Sequence, residues 1–563
     1  MRPFYIYTLL FLCAFWTGEK ACFAQNFNNS LGEDHFQNPI ISGFHPDPSI
    51  CRVGDDYYLV NSSFEWFPGV PIFHSKDLVN WQQIGHVLDR KSQLNMVNTK
   101  ASAGIWAPTI RYHEGKYYVV VTCKQSKNDC NCGNNFYVTA DSPEGPWSDP
   151  IWIKNSLGID PTIFWDDDGK VYYLGSTHEF GRNWEGEDRI YLQELQLETG
   201  ELLGKPQFLT SGHASNARFT EGPHIYKIKD KYLLLAAEGG TWNDHAITGF
   251  LADSITGPYA PIHANPLLTH RHLGKNYPLT TIGHGDLVQT QHGDWWGVML
   301  GVRKLDGNYY LGRESYLTAV EFQGTKPVFN AGIGKVQLKE KRPDLPLFPF
   351  TENPIRDDFT AENLGLQWNF LRTPQTDWLI QDTQKARIGL PLRAESVKER
   401  ANPSLLARRL EHFEFEVKTK MTFSPKKENE TAGLIALQNE RFHYRFCLVK
   451  EGKENFLTIV KAFNAKNRKV YKETEVARVP YAAKEVVLGM KVNGMDIQFY
   501  YGKSENELKE IGAVQSANAL CSNFSGGFIG AYVGMYASSN GQKSKQTAWF
   551  DWFEYAPNKN VVP

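Results

Sequence analysis

The stretch PDPSICRVGDDYYLV, residues 46–60, decides the fold, because its layout returns four more times along the chain. It reads as a short apolar strand, a polar turn and a second strand rich in aromatic or β-branched residues. The other copies are WAPTIRYHEGKYYVVV from Trp106, IDPTIFWDDDGKVYYL from Ile159, TEGPHIYKIKDKYLLL from Thr220 and GHGDLVQTQHGDWWGV from Gly283. Their equivalent positions (Pro48, Pro108, Pro161, Pro223, Gly285) are separated by 60, 53, 62 and 62 residues. Self-similarity at such a period indicates a repeat architecture.

Each copy is followed by sequence that suits a third and a fourth strand. The third and fourth strands are expected in 70–81, 134–147, 188–200 and 246–259. Four strands in about 60 residues is typical of one blade of a β-propeller. We therefore predict a five-bladed propeller over residues 36–334. The alternative is a β-sandwich whose strand spacing repeats by accident.

The second part of the chain lacks the repeat. Residues 335–354 are rich in charge and proline, which predicts a linker. Beyond it, strand-like alternation continues in 412–423, 454–463, 485–502, 526–537 and 548–555. This pattern predicts a β-sandwich of jelly-roll type over residues 355–563. No long amphipathic helix is evident, so the whole protein is expected to be all-β.

The amino-acid composition limits the classes of function that this protein can have. The 563 residues include 60 Lys or Arg and 62 Asp or Glu, for a net charge of −2. This balance argues against binding to nucleic acid or to an anionic membrane. The aromatic share of 13% suits a site that stacks on sugar rings. Nothing in the sequence indicates a subunit number.

The amino terminus predicts export. Residues 1–24 combine Arg2, an apolar run and small residues before Gln25, as in a secretory signal peptide. No other stretch is apolar enough to span a membrane. A periplasmic or extracellular protein, of bacterial origin, is therefore expected. One local disulfide among Cys123, Cys130 and Cys132 fits that compartment.

The repeat also brings acidic residues together. The first strand of each propeller blade lines the central channel, and three of the five copies begin with a carboxylate: Asp47, Asp160 and Glu221. His284 and Trp106 open the other two. Buried like charges repel, so at least one carboxyl pKa is expected to be raised. A protonated acid beside an ionised one is what the hydrolysis of a glycosidic bond requires.

The position of Glu221 in the repeat argues against the grouping of these three acids. Glu221 lies one residue before the position equivalent to Asp47, and in a regular strand it would face the opposite side. The following Gly222-Pro223 permits an irregular backbone that could restore its direction.

These residues resemble glycoside hydrolase family 43, in its β-xylosidase and α-L-arabinofuranosidase branch. The resemblance covers nearly the whole chain after residue 36. Its motifs are HPDPS, GIWAPTIR, DPTIFWDDDGK, TEGPHIYK and GHGDLV, in this order. It implies a five-bladed propeller followed by a concanavalin A-like sandwich, and an inverting mechanism.

The resemblance also implies residue roles. Asp47 resembles the general base, Glu221 the general acid, and Asp160 the carboxylate that orients the acid and tunes its pKa. Sugar-binding residues would be Phe64, Trp106, His284, Arg303 and, from the sandwich, Phe528. No cofactor is required, although a calcium ion could be held by His284 in the channel or by Asp357 and Asp551 in the sandwich.

The implied activity is the release of β-D-xylose or α-L-arabinofuranose from the ends of xylan- or arabinoxylan-derived oligosaccharides. Two alternatives stay open at this point. A retaining propeller hydrolase of the invertase type has a similar layout but opens with W-M-N-D-P-N, whereas this chain has GFHPDPS. A non-catalytic polysaccharide-binding protein would use the aromatic residues and the sandwich without the acids.

Overall fold

The structure is a computed structural model that describes residues 34–124, 134–274 and 276–558. The proposed signal peptide, Cys130 and Cys132 lie outside these ranges, and Cys123 is disulfide-bonded. Within them the protein is almost entirely β, and its one α-helix is Ser522–Ser525. Short 3₁₀ turns occupy Thr383–Lys385, Glu505–Glu507 and Ala517–Leu520. No helix in the described ranges has the length and apolar character needed to cross a membrane.

Five antiparallel sheets follow one another along the first part of the chain, one for each copy of the repeat. Blade one has strands Ser49–Val53, Asp56–Val60, Gly69–Ser75 and Gln82–Leu88; blade two has Gly104–His113, Lys116–Lys124, Asn134–Ala140 and Ile151–Trp152; blade three has Ile159–Trp165, Val171–Thr177, Arg189–Gln196 and Glu201–Thr210. Blade four has Glu221–Ile228, Lys231–Glu238, Ala246–Ala252, Ala260–Pro261 and Leu268–Thr269, and blade five has Leu279–Gln289, Trp295–Arg303, Glu314–Gln323 and Lys326–Phe329. The predicted propeller is therefore confirmed.

The strand period explains how the blades close into a ring. Successive side chains of a strand point to opposite faces of its sheet. In the second strand of blade four, Leu233 and Leu235 pack against blade five, while Leu234 packs against blade three. Separate apolar cores fill the interfaces one–two, two–three and five–one in the same way. Every blade is thus buried on both faces, and the sheets leave only their outermost edges exposed.

Two sheets form the second part of the chain and enclose the largest apolar core. The first contains, in spatial order, Ile380–Asp382, Arg387–Pro391, Thr547–Pro557, Glu414–Thr422, Glu485–Asn493, Asp496–Gly502 and Lys509–Ser516, with Arg356–Asp357 also paired to Thr547–Pro557. The second contains Ser404–Arg409, Tyr532–Ser538, Thr431–Asn439, Phe442–Glu451, Glu454–Ala462 and Glu473–Pro480. This confirms the predicted sandwich.

Two features differ from the strand pattern read from the sequence. The strand expected from residue 526 begins only at Tyr532: Gly526 and Gly527 have positive φ angles (73° and 85°), and the amides of Phe528 and Ala531 bond to Ser102 Oγ and to the Tyr310 carbonyl oxygen. Residues 335–354, predicted as a linker, contain the strand Lys339–Lys341, which pairs with His35–Gln37.

The sandwich is joined to the propeller by backbone pairing and by buried side chains. Trp66–Phe67 of blade one pairs with Phe370–Leu371 of the sandwich. The Trp66 indole stacks on Tyr532, with ring centroids 3.5 Å apart, and both rings are buried. Arg372 is fully buried and donates from Nε to the Thr99 carbonyl oxygen at 2.7 Å. These contacts fix the sandwich over the propeller beside blades one and two.

Candidate active site

One pocket at the centre of the propeller collects most of the residues selected from the sequence. Its empty space, counted together with the part open to solvent, is about 420 Å³. The lining residues are Asp47, Phe64, Trp106, Ala107, Ile159, Asp160, Glu221, Thr241, His245, His284, Arg313 and Phe528. Seven of the eight residues predicted for catalysis or sugar binding are in this set.

A repeated backbone distortion places the residues at the strand entrances. The equivalent residue of each blade has a positive φ: Asp47 (53°), Ala107 (37°), Asp160 (56°), Gly222 (59°) and His284 (47°). Pairing is irregular there in blades two to five. A bulge re-aims side chains and interrupts the strict alternation of a strand.

This distortion resolves the position of Glu221. Gly222 is the blade-four residue equivalent to Asp47, and Glu221 occupies the preceding position, as do Trp106 and Ile159 in their blades. All three preceding residues line the pocket. Alternation would have turned them away, but the left-handed residue that follows lets both positions face the same cavity.

A close contact is a second reason why position 222 is a glycine. A Cβ atom built there would lie 3.0 Å from the His284 ring, so the imidazole packs directly on the blade-four backbone. The Gly222 amide donates to Asp160 Oδ2 at 3.2 Å. Gly222 therefore allows the close approach of His284 and supplies a hydrogen bond to a pocket carboxyl.

Two donors hold the side chain of Asp47. Arg313 donates from Nη1 to Oδ1 at 2.7 Å, and the Ser62 hydroxyl donates to Oδ2 at 2.6 Å. The side chains of Asp47 and Arg313 are about nine-tenths buried. Charge-assisted hydrogen bonds of this kind are short and strong, so they fix the orientation of the Asp47 carboxylate.

The surroundings of Asp160 and Glu221 raise the pKa values of both carboxyls. Burial raises the pKa of Asp160 to about 6, with a further contribution from the Asp47 charge, while His284 opposes the shift from 3.9 Å. Burial also raises the pKa of Glu221 well above its usual value, helped by the charges of Asp160, Asp188 and Asp47. Within the described ranges no donor hydrogen-bonds the Glu221 carboxyl. The pocket thus combines one carboxylate held by an arginine and a hydroxyl with a buried carboxyl whose pKa is raised.

Three aromatic rings cover the acids. The ring centroids of Phe64, Trp106 and Phe528 lie 5.8–6.4 Å from one another. Phe528 comes from the loop after Ser522–Ser525 in the sandwich, and its amide donates to Ser102 Oγ at 2.9 Å. The Arg313 guanidinium lies over both phenylalanine rings, 5.4 and 5.8 Å from their centroids. The sandwich therefore supplies part of the pocket wall.

The placement of Arg303 does not fit the role predicted for it. Its Nε and Nη2 both donate to Glu314 at 2.7 Å, in a buried pair inside blade five, and it does not line the pocket. Arg313 is the arginine in the pocket. Arg303 ends a strand, whereas Arg313 precedes the strand Glu314–Gln323 on a loop at the channel mouth. The sequence motif around Arg303 could not distinguish the two because the loop between them sets which one reaches the channel.

His245 and Thr241 were not identified from the sequence. Burial lowers the pKa of His245 to about 3, so the ring is neutral; Nδ1 lies 3.2 Å from the Thr281 carbonyl oxygen and can donate to it. Both residues lie on the loop between the second and third strands of blade four, which returns to the mouth where the first strand begins. In a propeller this loop lies at the channel mouth, and that topology could have identified Thr241 and His245 as candidates from the sequence.

The residues proposed for calcium are otherwise engaged. Asp357 accepts from the Trp368 indole at 2.8 Å and from the Phe359 amide at 2.9 Å. Asp551 pairs with Lys420 at 3.0 Å. His284 has Asp160 nearby, but no group of three or more His, Cys, Asp or Glu side chains in the described part of the chain is arranged to hold a metal ion. The donor sets therefore do not fit calcium, and no step below involves a metal.

A propeller whose central pocket holds three carboxyls beneath aromatic rings is suited to glycoside hydrolysis, and comparison with known proteins gives the family. Residues 36–326 match glycosyl hydrolases family 43, and residues 356–556 match the beta xylosidase C-terminal concanavalin A-like domain. This chain belongs to glycoside hydrolase family 43.

Relatives match over almost their whole length. A non-reducing end alpha-L-arabinofuranosidase of Bacteroides ovatus is 37% identical, over 94% of this chain and 96% of its own. A xylosidase/arabinosidase of Butyrivibrio fibrisolvens is also 37% identical, over 92% and 98%. The crystal structure of a xylan beta-1,4-xylosidase from Bacillus halodurans superposes with a TM-score of 0.86 at 35% identity, over 92% of this chain and all of that one.

Proposed function

We propose that this glycosidase releases single pentose units, β-D-xylose or α-L-arabinofuranose, from the non-reducing ends of xylan-type oligosaccharides with inversion at the anomeric carbon. The observation that carries the proposal is the one pocket in which Asp47, Asp160 and Glu221 lie beneath a cover of aromatic rings. A small pocket closed by Phe528 accommodates a chain end better than the middle of a chain. The similarity to enzymes named for xylosides and for arabinofuranosides supports the pentose class.

The different surroundings of the carboxyls assign the roles. Glu221, whose pKa is raised by burial, gives its proton to the glycosidic oxygen as the bond to the anomeric carbon breaks. Asp47, held by Arg313 and Ser62, takes a proton from the water whose oxygen attacks the opposite face of that carbon. Asp160, bound to the Gly222 amide next to the acid, raises the pKa of Glu221 and keeps it protonated. Solvent then returns a proton to Glu221 and removes one from Asp47.

The stereochemical course tests the mechanism directly. The first sugar released from an oligosaccharide should have the configuration opposite to that of the bond cleaved, as followed at the reducing end by NMR before mutarotation. Early appearance of the retained anomer would contradict the roles of Asp47 and Glu221 and favour the invertase-type alternative.

A substitution tests the acid. Glu221→Gln should lower kcat on pentose oligosaccharides by roughly 10²–10⁴-fold, since proton transfer to the leaving oxygen is lost. Glu185→Gln, which alters an exposed acid paired with Arg218, is the matched control and should leave kcat unchanged. Paired nitrophenyl β-D-xyloside and α-L-arabinofuranoside substrates show which pentose is preferred. Full activity of the Glu221 variant would exclude it as the acid.

We also propose that residues 1–24 direct export and are removed before Gln25. The charged start and the apolar run support this proposal. Amino-terminal sequencing of protein recovered from outside the cytoplasm tests it, and a mature chain that begins at Met1 would contradict it.

A further inference from the structure

A second cavity lies beside the active site on blade four, and none of the roles assigned above uses it. It is open, and its empty space, counted together with the part open to solvent, is about 1130 Å³. Its walls come from the segments before and after the first two strands of blade four, which include His213, Arg218, Phe219 and Trp242, and from Arg271 in the segment that leads to blade five.

The position of Glu221 relates this cavity to the reaction. An acid that protonates the leaving oxygen must lie on the side of the pocket where the leaving group departs. Phe219 precedes Glu221 by two residues, and Trp242 lies on the loop that follows the strand paired with Glu221. A smaller cavity shares Thr241, Arg313 and Phe528 with the active-site pocket and Trp242 with the second cavity. The three spaces therefore follow one another on the blade-four side of the pocket, which carries Glu221.

Trp242 connects the two spaces. It lines the second cavity, and its ring lies 6.3 Å from that of Phe528, which covers the pocket. At 53% exposure, it is the most exposed tryptophan of the described residues. A tryptophan ring that is exposed at the exit of a binding pocket offers a flat apolar face on which a sugar ring can stack.

The ring is also held in place. Phe219 packs against it at 5.7 Å between centroids. Gly240 lies beneath it with a φ of 68°, and a Cβ atom there would be 2.4 Å from the indole. A ring fixed from behind and exposed in front loses little freedom when a flat sugar face stacks on it. The polar side chains around it, including the His213–Glu238 pair at 2.6 Å, can bond to sugar hydroxyls.

We propose that Trp242 and this cavity form a leaving-side subsite that stacks on the sugar units beyond the scissile bond, so that the enzyme prefers oligosaccharides to pentosides with small leaving groups. The inference rests on the proposed function, because it takes Glu221 as the acid and a pentose oligosaccharide as the substrate. It adds a residue that determines chain-length preference.

The test compares two substrates in one variant. The ratio of kcat/KM for a pentose trisaccharide to kcat/KM for the corresponding pentosyl fluoride, whose leaving group is a single atom, isolates the leaving side. Trp242→Ala should lower this ratio by about 3- to 10-fold, mainly through KM for the trisaccharide, as expected for the loss of one stacking contact. Trp242→Phe should restore most of it. An unchanged ratio in Trp242→Ala would overturn the proposal.

Phe180→Ala is the matched control. Phe180 is 51% exposed on the neighbouring loop of blade three and does not line the second cavity. It should leave the ratio unchanged, and an equal drop in both variants would overturn the proposal by pointing to a general surface effect. Thermal unfolding of each variant confirms that the fold is intact.

Failure of the proposed function can be told apart from failure of this inference. If the wild-type enzyme hydrolyses neither substrate, the function is wrong, and calorimetric titration of the trisaccharide into Glu221→Gln with and without Trp242→Ala still decides the subsite. Weaker binding in the double variant supports it, and equal binding overturns it.

Discussion

Arg313 and Arg303 are both buried arginines of blade five, ten residues apart. Replacing each of them with Met should affect a different property of the protein. Arg313 has a single bond to its acid, Asp47, and lies over the rings that cover the pocket. Arg303 has a two-pronged bond to Glu314, away from the pocket. We expect Arg313→Met to damage catalysis and Arg303→Met to damage stability.

The magnitudes follow from these contacts. Loss of the donor that orients the base should lower kcat/KM by about 10²-fold, similar to the loss of one preorganised donor in other active sites. Removal of Arg303 leaves the buried Glu314 with the Gly43 amide and the Tyr316 hydroxyl as neutral donors. Breaking a buried ion pair on one side costs roughly 3–5 kcal/mol of unfolding free energy.

The pH profile of kcat/KM on a nitrophenyl pentoside provides a second readout. Arg313 lowers the pKa of Glu221, so its removal raises that pKa and moves the alkaline limb of the profile to higher pH. Arg303→Met should leave the limb in place while lowering the midpoint of urea unfolding. A large catalytic loss in Arg303→Met with normal stability, or a normal rate in Arg313→Met, would refute the assignment.

Three further predictions concern Asp160 and the contact between the propeller and the sandwich. The Asp160 charge raises the pKa of Glu221, so Asp160→Asn should move the alkaline limb of kcat/KM to lower pH, and an unmoved limb would contradict the coupling. Because the pKa of Asp160 is raised to about 6 in the folded protein, its stabilising contribution is present at low pH and is lost as pH rises through 6. The thermal stability of Asp160→Asn relative to wild type should therefore increase between pH 4 and pH 7, and a constant difference would argue against a raised pKa. Trp66→Ala removes a buried indole stacked on Tyr532 and should cost about 3–5 kcal/mol by urea unfolding, whereas a cost below 1 kcal/mol would mean that the domains are held together elsewhere.

The fold could be predicted from the sequence because each blade is built from local pattern. Two-residue alternation and turn residues specify one sheet, and five repetitions with both faces apolar leave circular closure as the way to bury them. The first and last residues of the sandwich strands could not be predicted as accurately as the blades. Gly526 and Gly527 stand within an alternating pattern, and only their left-handed conformation reveals that the strand starts at Tyr532 and that Phe528 belongs to a loop.

The three acids could also be predicted, since repetition assigns equivalent residues to equivalent places around one axis. The sequence by itself determined that Asp47 and Asp160 occupy the same position of the repeat and that Glu221 precedes that position by one residue. Only the tertiary structure decided that Glu221 faces the same cavity as the others, because a left-handed residue after it cancels the alternation that would have turned it away. In the same way, only the structure showed that Arg313, and not Arg303, lies in the pocket. The path of the loop between them decides which arginine reaches the channel, and the repeat pattern of the sequence does not specify that path.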